Sequence, residues 1–351
     1  MLAAISGGNA PDVTLGEAYV LEFTSLGAFS PLNINPDDFP FGTIAGGFLD
    51  GQIYGVPAMT STFALEINPG VLEKSGLDPE FVPQTWDELL EAAQSVHEAG
   101  GRGENWHGFT VWGPTPGNYG SALRMMPWVN RTGALMGSDD GLTASFNDER
   151  AVAAYDLMRE LFKTTDPTFA FGEREAGVGS GVWSGQGAFM LSFGLDAQRA
   201  ADFGGETVFR RIPLPQSGGI LSNTVVGNIT YSALKDGPNP ELAVKWCEML
   251  ATAEAQYAIA QIRGFWLPAR KDVLADSTVL DTPLYEGIRE KNRMVADTLL
   301  EEATHPAPPF QKNPSRIWEA WNDTFGAMLL SNAPTKALLD DLQAQAERLL
   351  S

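Results

Sequence analysis

The sequence contains a single cysteine, few basic residues and no long hydrophobic run. Cys247 is the one cysteine in 351 residues, so neither an internal disulfide nor a cysteine-based metal cage can form. Lys and Arg number 23 against 44 Asp and Glu, and the net charge of -21 repels phosphate backbones and anionic membranes, so we expect no nucleic-acid partner. No apolar stretch approaches the roughly 18 residues of a transmembrane helix.

Motifs of the common enzyme classes are also missing. The three histidines (His97, His107 and His305) are not at metal-ligand spacing, and neither HExxH nor G-x-S-x-G occurs. No Gly-Lys pair forms a P-loop, and the glycines from Gly177 to Gly187 lack the dinucleotide-binding spacing. We therefore predict a protein without a metal or cofactor. A carboxylate pair for glycoside hydrolysis stays open, because 44 acidic residues always include a suitable-looking pair.

Local patterns predict an α/β protein. Thr85 and Glu88 form a capping box before an apolar stripe, and Cys247 falls on the buried side of another predicted helix. The remaining helices are expected to begin at Asn147, Asn239, Ser315 and Thr335, with one more carrying Tyr257 before Gly264. Seven strand-like runs alternate with them: APDVTL, IYGVPA, FALEIN, GFTVW, GAFMLSF, TVFRRIPL and VVGNITYSAL. Such alternation is typical of sheets covered by helices on both faces.

Aromatic residues outside the helix stripes suggest a carbohydrate ligand. Six of them are predicted in loops or at strand ends: Trp106, Trp112, Tyr119, Trp128, Trp183 and Trp266. An aromatic ring covers the C–H face of a sugar while neighbouring polar groups bind its hydroxyls. Trp318 and Trp321, three residues apart on a predicted helix, are expected in the core.

The order of several motifs resembles the bacterial extracellular solute-binding proteins of the sugar-binding type. The motifs are "GGNAPDVTLGEAYVLEFTSLGAFSPL", "DGQIYGVPAMTSTFALEINPGVLEKSGLDPEFVPQTWDELLEAA", "FNDERAVAAYDLMREL", "WSGQGAFMLSFG", "NPELAVKWCEMLATAEAQ" and "GFWLPARKDVL". The resemblance implies a two-lobed periplasmic-binding-protein-like (type II) α/β fold with a hinge and a ligand cleft between the lobes. It implies one lobe of residues 1–113 plus 228–269 and another of 114–227 plus 270–351. The chain would cross near Trp112, Gly227 and Pro268.

The resemblance also bears on the beginning of the chain. Family members begin with a strand, a helix and a second strand before the helix that ends here at MLAAI, and with an export signal before those. We therefore expect this sequence to lack that segment and the signal, since MLAAISGG has neither a basic nor a long apolar part. We nevertheless expect a periplasmic or extracellular, membrane-associated protein, because a family member must meet its permease outside the cytoplasm.

The family's ligand contacts carry over residue by residue. They predict Glu17 and Tyr19 after the PDV strand, Thr60 and Ser61 in a loop after YGVP, Trp112 and Tyr119 after the first hinge crossing, and Asp196, Asn228, Trp266 and Arg270 farther on. Trp266, Tyr119 or Trp112 would stack on the ligand, and the smaller polar groups would take its hydroxyls. A related member, the maltose-binding protein, has a glutamate near the Ser61 position, so an identical ligand is not expected.

The predicted function is therefore that of a non-enzymatic binding subunit of an ABC importer. It would capture a neutral mono- or oligosaccharide and deliver it to a permease, acting as a monomer. Three alternatives stay open: a phosphorylated polyol, for which Arg270 and Arg263 would be partners; a polyamine drawn by the acidity; and a carbohydrate-active enzyme.

Overall fold

A computed structural model describes residues 2–16, 20–100, 106–114, 120–165, 170, 180–192, 207–215, 224–263, 266–281, 286–301, 304–306 and 310–351. The strands are β1 Val13–Gly16, β2 Phe48–Leu49, β3 Gln52–Ile53, β4 Val56–Thr62, β5 Ala64–Ile67, β6 His107–Thr110, β7 Gly187–Ser192, β8 Val208–Arg210, β9 Thr224–Ala233 and β10 Thr304–Pro306. All seven predicted strand regions are confirmed.

The described helices are α1 Leu2–Ser6, α2 Val20–Ser25, α3 Phe41–Ile44, α4 Pro69–Ser75, α5 Trp86–Gly100, α6 Gly120–Arg131, α7 Glu149–Phe162, α8 Ser180–Trp183, α9 Pro240–Leu250, α10 Ala253–Arg263, α11 Lys271–Leu274, α12 Ser277–Leu280, α13 Glu286–Glu301, α14 Pro314–Leu330 and α15 Thr335–Leu350. None of those within the described ranges is both long and apolar enough to cross a membrane.

The first sheet is organised around the long strand β9. Strands β1 and β4 pair with β9 antiparallel, and β10 pairs with it in parallel. Helix α9 covers the sheet through Ala243 and Cys247, which pack with Val56, Ala58 and Ala233. The thiol of Cys247 is fully buried, as predicted, and burial raises its pKa to about 12.

The second sheet has the strand order β6-β7-β5-β8. Strand β5 is antiparallel to both of its neighbours, while β6 and β7 are parallel. Leu65 and Ile67 of β5 point into the largest hydrophobic cluster, which α5, α6, α7, α14 and α15 complete. Trp321 lies in this cluster, stacked on Phe325 with 4.8 Å between ring centroids, and Trp318 is also buried, so both tryptophans are core residues as predicted.

The chain passes from the first sheet to the second at Phe63. Phe63 separates β4 of the first sheet from β5 of the second, so the sheets divide there and not near Trp112. Strand β6 also belongs to the second sheet, although it lies within 1–113, and β10 pairs with β9 although it lies within 270–351. The burial of Leu65 and Ile67 against α5 and α7 explains why β5 joins the second sheet.

Several local predictions are confirmed and others shift. The capping box is present, with the Glu88 amide donating to Thr85 Oγ1 at 3.3 Å and the Thr85 amide to Glu88 Oε2 at 3.4 Å. Helix α7 is capped by Asp148 instead of Asn147, because the Asn147 amide donates to Asp340 at 2.8 Å.

Two further predictions about helices were wrong in detail. Helix α14 begins at Pro314 after Asn313, so Ser315 lies inside its first turn. Trp128, expected in a loop, lies in α6 and is buried against Trp86. Trp246 on α9 is 38% exposed, with its ring edge against Tyr231.

Candidate functional site

The ends of both sheets converge on the crossing at Phe63. In the first sheet, Gly16 at the end of β1 pairs with Thr230, and Thr62 at the end of β4 pairs with Val226. Both strands therefore run toward the amino-terminal half of β9. In the second sheet, β5 begins where β7 ends, and β6 runs parallel to β7. Strand ends in α/β sheets are common ligand positions, and here two sets of them face the same crossing.

Four of the predicted residues meet at the first sheet. Thr60 pairs with Asn228 of β9, and Ser61 pairs with Gly227. On its other side, the Thr60 amide donates to the carbonyl of Leu267 at 2.8 Å, and the Leu267 amide donates back at 3.0 Å, which brings the neighbouring Trp266 beside β4.

The setting of these residues differs from the predicted one. Thr60 and Ser61 belong to β4 and not to a loop, and both side chains are fully buried. Trp266 is only 8% exposed. A ligand that used these groups would therefore need the surrounding side chains to open first.

Gln256 fixes the segment that carries Trp266. Its side chain is fully buried, and its amide donates to the carbonyls of Pro57 at 3.2 Å and Leu250 at 2.9 Å. Its carbonyl accepts from the Ala269 amide at 2.6 Å. The pairing of β4 with β9 shifts register between Pro57 and Met59. The Gln256 side chain gives the Pro57 carbonyl a hydrogen-bond donor at this irregular part of the strand. The sequence reasoning missed Gln256, since a glutamine on a helix carries no motif.

The second sheet contributes Trp112, which follows β6. The guanidinium carbon of Arg124 lies 3.2 Å from the Trp112 ring centroid and 5.5 Å from that of Phe63. Arg124 belongs to the first turns of α6, and its Nη1 donates to the carbonyl of Gly120 at 3.3 Å. The sequence reasoning missed this cation too. The available signal was a lone arginine in the otherwise apolar run SALRMMPWV.

Arg270 is engaged in a network away from these strand ends. Its guanidinium donates to Asp38 at 2.9 Å, to Asp272 at 2.9 Å and to the carbonyl of Ala251 at 3.1 Å. The hydrogen bond from Arg270 lowers the pKa of the Asp272 carboxyl. A guanidinium with these partners links α11 to the 36–38 turn, so we do not carry Arg270 into the proposed site.

For the remaining predicted ligand contacts the structure describes no side chain. Glu17, Tyr19, Tyr119 and Asp196 lie outside the described residues, and Asn228 is described only through its backbone. Their predicted roles therefore stay predictions.

Glu66 is the one fully buried acid in the described part of the chain. It accepts hydrogen bonds from Thr207 Oγ1 at 2.7 Å and from Trp183 Nε1 at 3.2 Å. Trp183 was expected in a loop, but it lies in α8 and is buried. No three His, Cys, Asp or Glu side chains of the described ranges lie close enough together to hold a metal ion.

The chain is similar in sequence to known solute-binding proteins. The profile described as bacterial extracellular solute-binding protein matches residues 1–257. The sn-glycerol-3-phosphate-binding periplasmic protein UgpB of Salmonella paratyphi A is 29% identical over 180 residues, which cover 47% of this chain and 40% of that protein. The match therefore spans less than half of that relative. The UgpB protein of Pectobacterium atrosepticum is 23% identical over 373 residues, which cover 93% of this chain and 80% of that protein.

Solved structures show the same fold. An ABC transporter solute binding protein from Thermotoga lettingae TMO, bound with alpha-D-tagatose, superposes with a TM-score of 0.80 at 20% identity, covering 100% of this chain and 88% of that one. A sugar transporter from Arthrobacter chlorophenolicus A6 with bound laminaribiose has a TM-score of 0.79 at 17% identity, with the same shares covered. The predicted two-lobed α/β architecture is confirmed.

Proposed function

Because the chain belongs to the bacterial extracellular solute-binding protein family, we propose that it is the substrate-binding subunit of an ABC importer. It captures a neutral mono- or oligosaccharide between two lobes and delivers it to a membrane permease. On this proposal the protein acts as a monomer in the periplasm or at the outer face of a membrane. It has no catalytic activity.

The observation that carries the proposal is the meeting of hydroxyl-bearing and aromatic residues at the facing strand ends. Thr60 and Ser61 on β4 adjoin Trp266, and Trp112 follows β6 on the other side of Phe63. Hydroxyls and flat rings together suit a polyhydroxylated ring, since each hydroxyl contributes about 1 kcal/mol and stacking adds the apolar part. The sugars bound in the two similar structures support the same ligand class.

The division of the strands between two sheets leads us to propose other lobe boundaries than those predicted. We assign the described residues within 2–62 and 224–306 to one lobe and those within 64–215 and 310–351 to the other, with Phe63 at the first crossing. Helix α13 lies between them: its Met294 contacts Ala64 and Phe209 of the second sheet and also packs against the cluster around Leu267. Closure about these crossings would bury the ligand and present a new surface to the permease.

A phosphorylated polyol is the second candidate ligand. The curated relatives are named for sn-glycerol 3-phosphate, and Arg124 places a cation beside Trp112 at the facing strand ends. We rank this ligand below a neutral sugar because Arg124 stacks on an aromatic ring and Arg270 is bonded to two aspartates.

Two further alternatives have less support. A polyamine binder would need acids at the strand ends, where the described site residues are hydroxyls, aromatics and Arg124. A glycosidase would need two carboxylates flanking the substrate, and the buried Glu66 is held by Trp183 and Thr207.

Calorimetry of the purified chain tests the proposal. The ligands are D-tagatose, maltose, laminaribiose, sn-glycerol 3-phosphate and spermidine, each also incubated overnight to detect product formation. We expect binding of a neutral sugar without turnover, with an affinity that hardly responds to salt. Binding confined to sn-glycerol 3-phosphate would favour the second candidate, and sugar hydrolysis would refute the proposal.

Trp266→Ala tests the site itself. We expect it to weaken sugar binding by roughly 1–3 kcal/mol, the range for replacing by alanine an aromatic side chain that stacks on a nucleic-acid base. Trp246→Ala is the matched control, because Trp246 is 38% exposed on α9 and away from the strand ends. Equal affinity in the two variants, with both folded by circular dichroism, would remove Trp266 from the site.

A further inference from the structure

Arg124 joins three parts of the chain at the crossing. Its Nη1 donates to the carbonyl of Gly120 at the start of α6, at 3.3 Å. Its guanidinium carbon lies 5.5 Å from the ring centroid of Phe63, the residue between the two sheets. The same carbon lies 3.2 Å from the Trp112 ring centroid, which is the distance of direct stacking on the indole face.

A cavity adjoins this pair on the side of the protein core. Its volume is about 20 Å³, room for a single water molecule, and both Trp112 and Arg124 line it. Apolar residues make up most of the remaining lining: Phe109, Val111, Met125, Trp128, Met158, Leu191 and Phe325. A side chain beside even a small gap loses contacts on that side, so close packing alone does not hold the indole there.

Hydrogen bonding does not hold the indole either. Trp112 Nε1 is buried and has no hydrogen-bond partner among the described residues. The same is true of Thr110 Oγ1, which lies on the cavity wall. The described ring contact of Trp112 is with the guanidinium of Arg124, which lies over the indole face.

We propose that Arg124 is a positioning residue for the sugar platform at Trp112. The flat guanidinium fixes the plane of the indole and covers one of its faces, so a ligand ring stacks on the other face. The charge held beside the platform admits neutral or anionic polyols and rejects cationic ligands. This inference rests on the proposed function for the identity of the ligand, but the stacking itself is independent of it.

Two substitutions separate stacking from charge. Arg124→Met keeps most of the apolar stem of the side chain and removes both the charge and the flat group, whereas Arg124→Lys keeps the stem and the charge but not the flat group. Arg150→Met is the matched control, since Arg150 lies on the surface of α7 with 58% of its side chain exposed. Each substitution is made in the wild-type chain and in a Trp112→Leu background, and the difference spectrum isolates the fluorescence of Trp112.

In the ligand-free protein, Arg124→Met and Arg124→Lys should both make Trp112 more accessible to acrylamide quenching, and Arg150→Met should not. In calorimetry, both Arg124 variants should lose about 2- to 30-fold in sugar affinity, the range that corresponds to one cation–π contact. The loss should vanish in the Trp112→Leu background, which has no ring for the guanidinium to stack on. Thermal unfolding of each variant checks that the fold persists, and Arg124→Lys is the second variant if Arg124→Met does not fold.

The outcomes distinguish a failure of the positioning role of Arg124 from a failure of the proposed function. Unchanged Trp112 quenching in both variants would overturn the positioning role, whatever ligand is bound. Full retention of affinity in Arg124→Lys would show that charge acts and stacking does not, which also overturns it. If the wild-type chain binds none of the sugars, the proposed function fails, while the quenching measurement still decides the role of Arg124.

Discussion

Replacing Gln256 with methionine should destabilise the protein and weaken its binding at the same time. Methionine matches glutamine in length but makes no hydrogen bonds. It would leave the carbonyls of Pro57 and Leu250 and the amide of Ala269 without their present partner, in a fully buried place. Each unsatisfied buried group costs about 1–3 kcal/mol, so we expect a loss of at least about 3 kcal/mol in the free energy of unfolding.

The loss should extend to ligand affinity. Gln256 holds the backbone at Ala269, and the same segment pairs with Thr60 through Leu267 and carries Trp266. A segment that loses this anchor should place Trp266 less firmly beside β4. Urea denaturation measures the stability, and calorimetry with the best sugar measures the affinity at a temperature where both proteins are folded.

Gln343→Met is the control for this experiment. Gln343 also joins separate segments, donating to the carbonyl of Ala144 at 2.9 Å and accepting from the Phe146 amide at 2.8 Å, but it lies on α15, away from the strand ends. It should lose stability and keep its affinity. A Gln256→Met protein within 1 kcal/mol of wild type would refute the hydrogen-bond argument. A destabilised Gln256→Met with unchanged affinity would refute the link to the site.

Three other outcomes are expected. Cys247 should not react with a thiol reagent at pH 8 until the chain unfolds, because it is buried and its pKa is raised to about 12; rapid labelling of the folded protein would contradict this. The hydrogen bond from Arg270 holds the pKa of the Asp272 carboxyl below its ordinary value of 3.8. The stability that this bond contributes is therefore present above pH 3.8 and is lost as the pH falls through the pKa of Asp272 in the folded protein. The wild type should therefore exceed Asp272→Asn in unfolding free energy at pH 7, with the difference shrinking below pH 3.8, and a constant difference would argue against it. Gly108→Ala should prevent stable folding, since its Cβ would stand 1.9 Å from the Ala93 carbonyl oxygen; normal thermal unfolding would show that α5 and β6 are not so close.

Local chemistry determined much of this protein from its sequence. The capping box of Thr85 and Glu88 forms because its partners are three residues apart, and the seven strand regions follow from short apolar runs bounded by turn residues. Cys247 and Trp321 are buried because each lies on the apolar side of its helix. The order of the motifs identified the family, and with it the two-lobed fold.

Only the tertiary structure decided which segments meet. Nothing in FALEIN shows whether β5 pairs with β4 before it or with β7 more than a hundred residues later, because a strand pattern specifies a buried face and not a partner. For the same reason the crossing was expected near Trp112 and lies at Phe63. The sequence places Arg270 beside Trp266, but Asp38, distant in the chain, takes its guanidinium. Arg124 and Gln256 carry no motif, and their roles arise only where folding brings Trp112 and Ala269 against them, since hydrogen bonds and stacking depend on proximity in space.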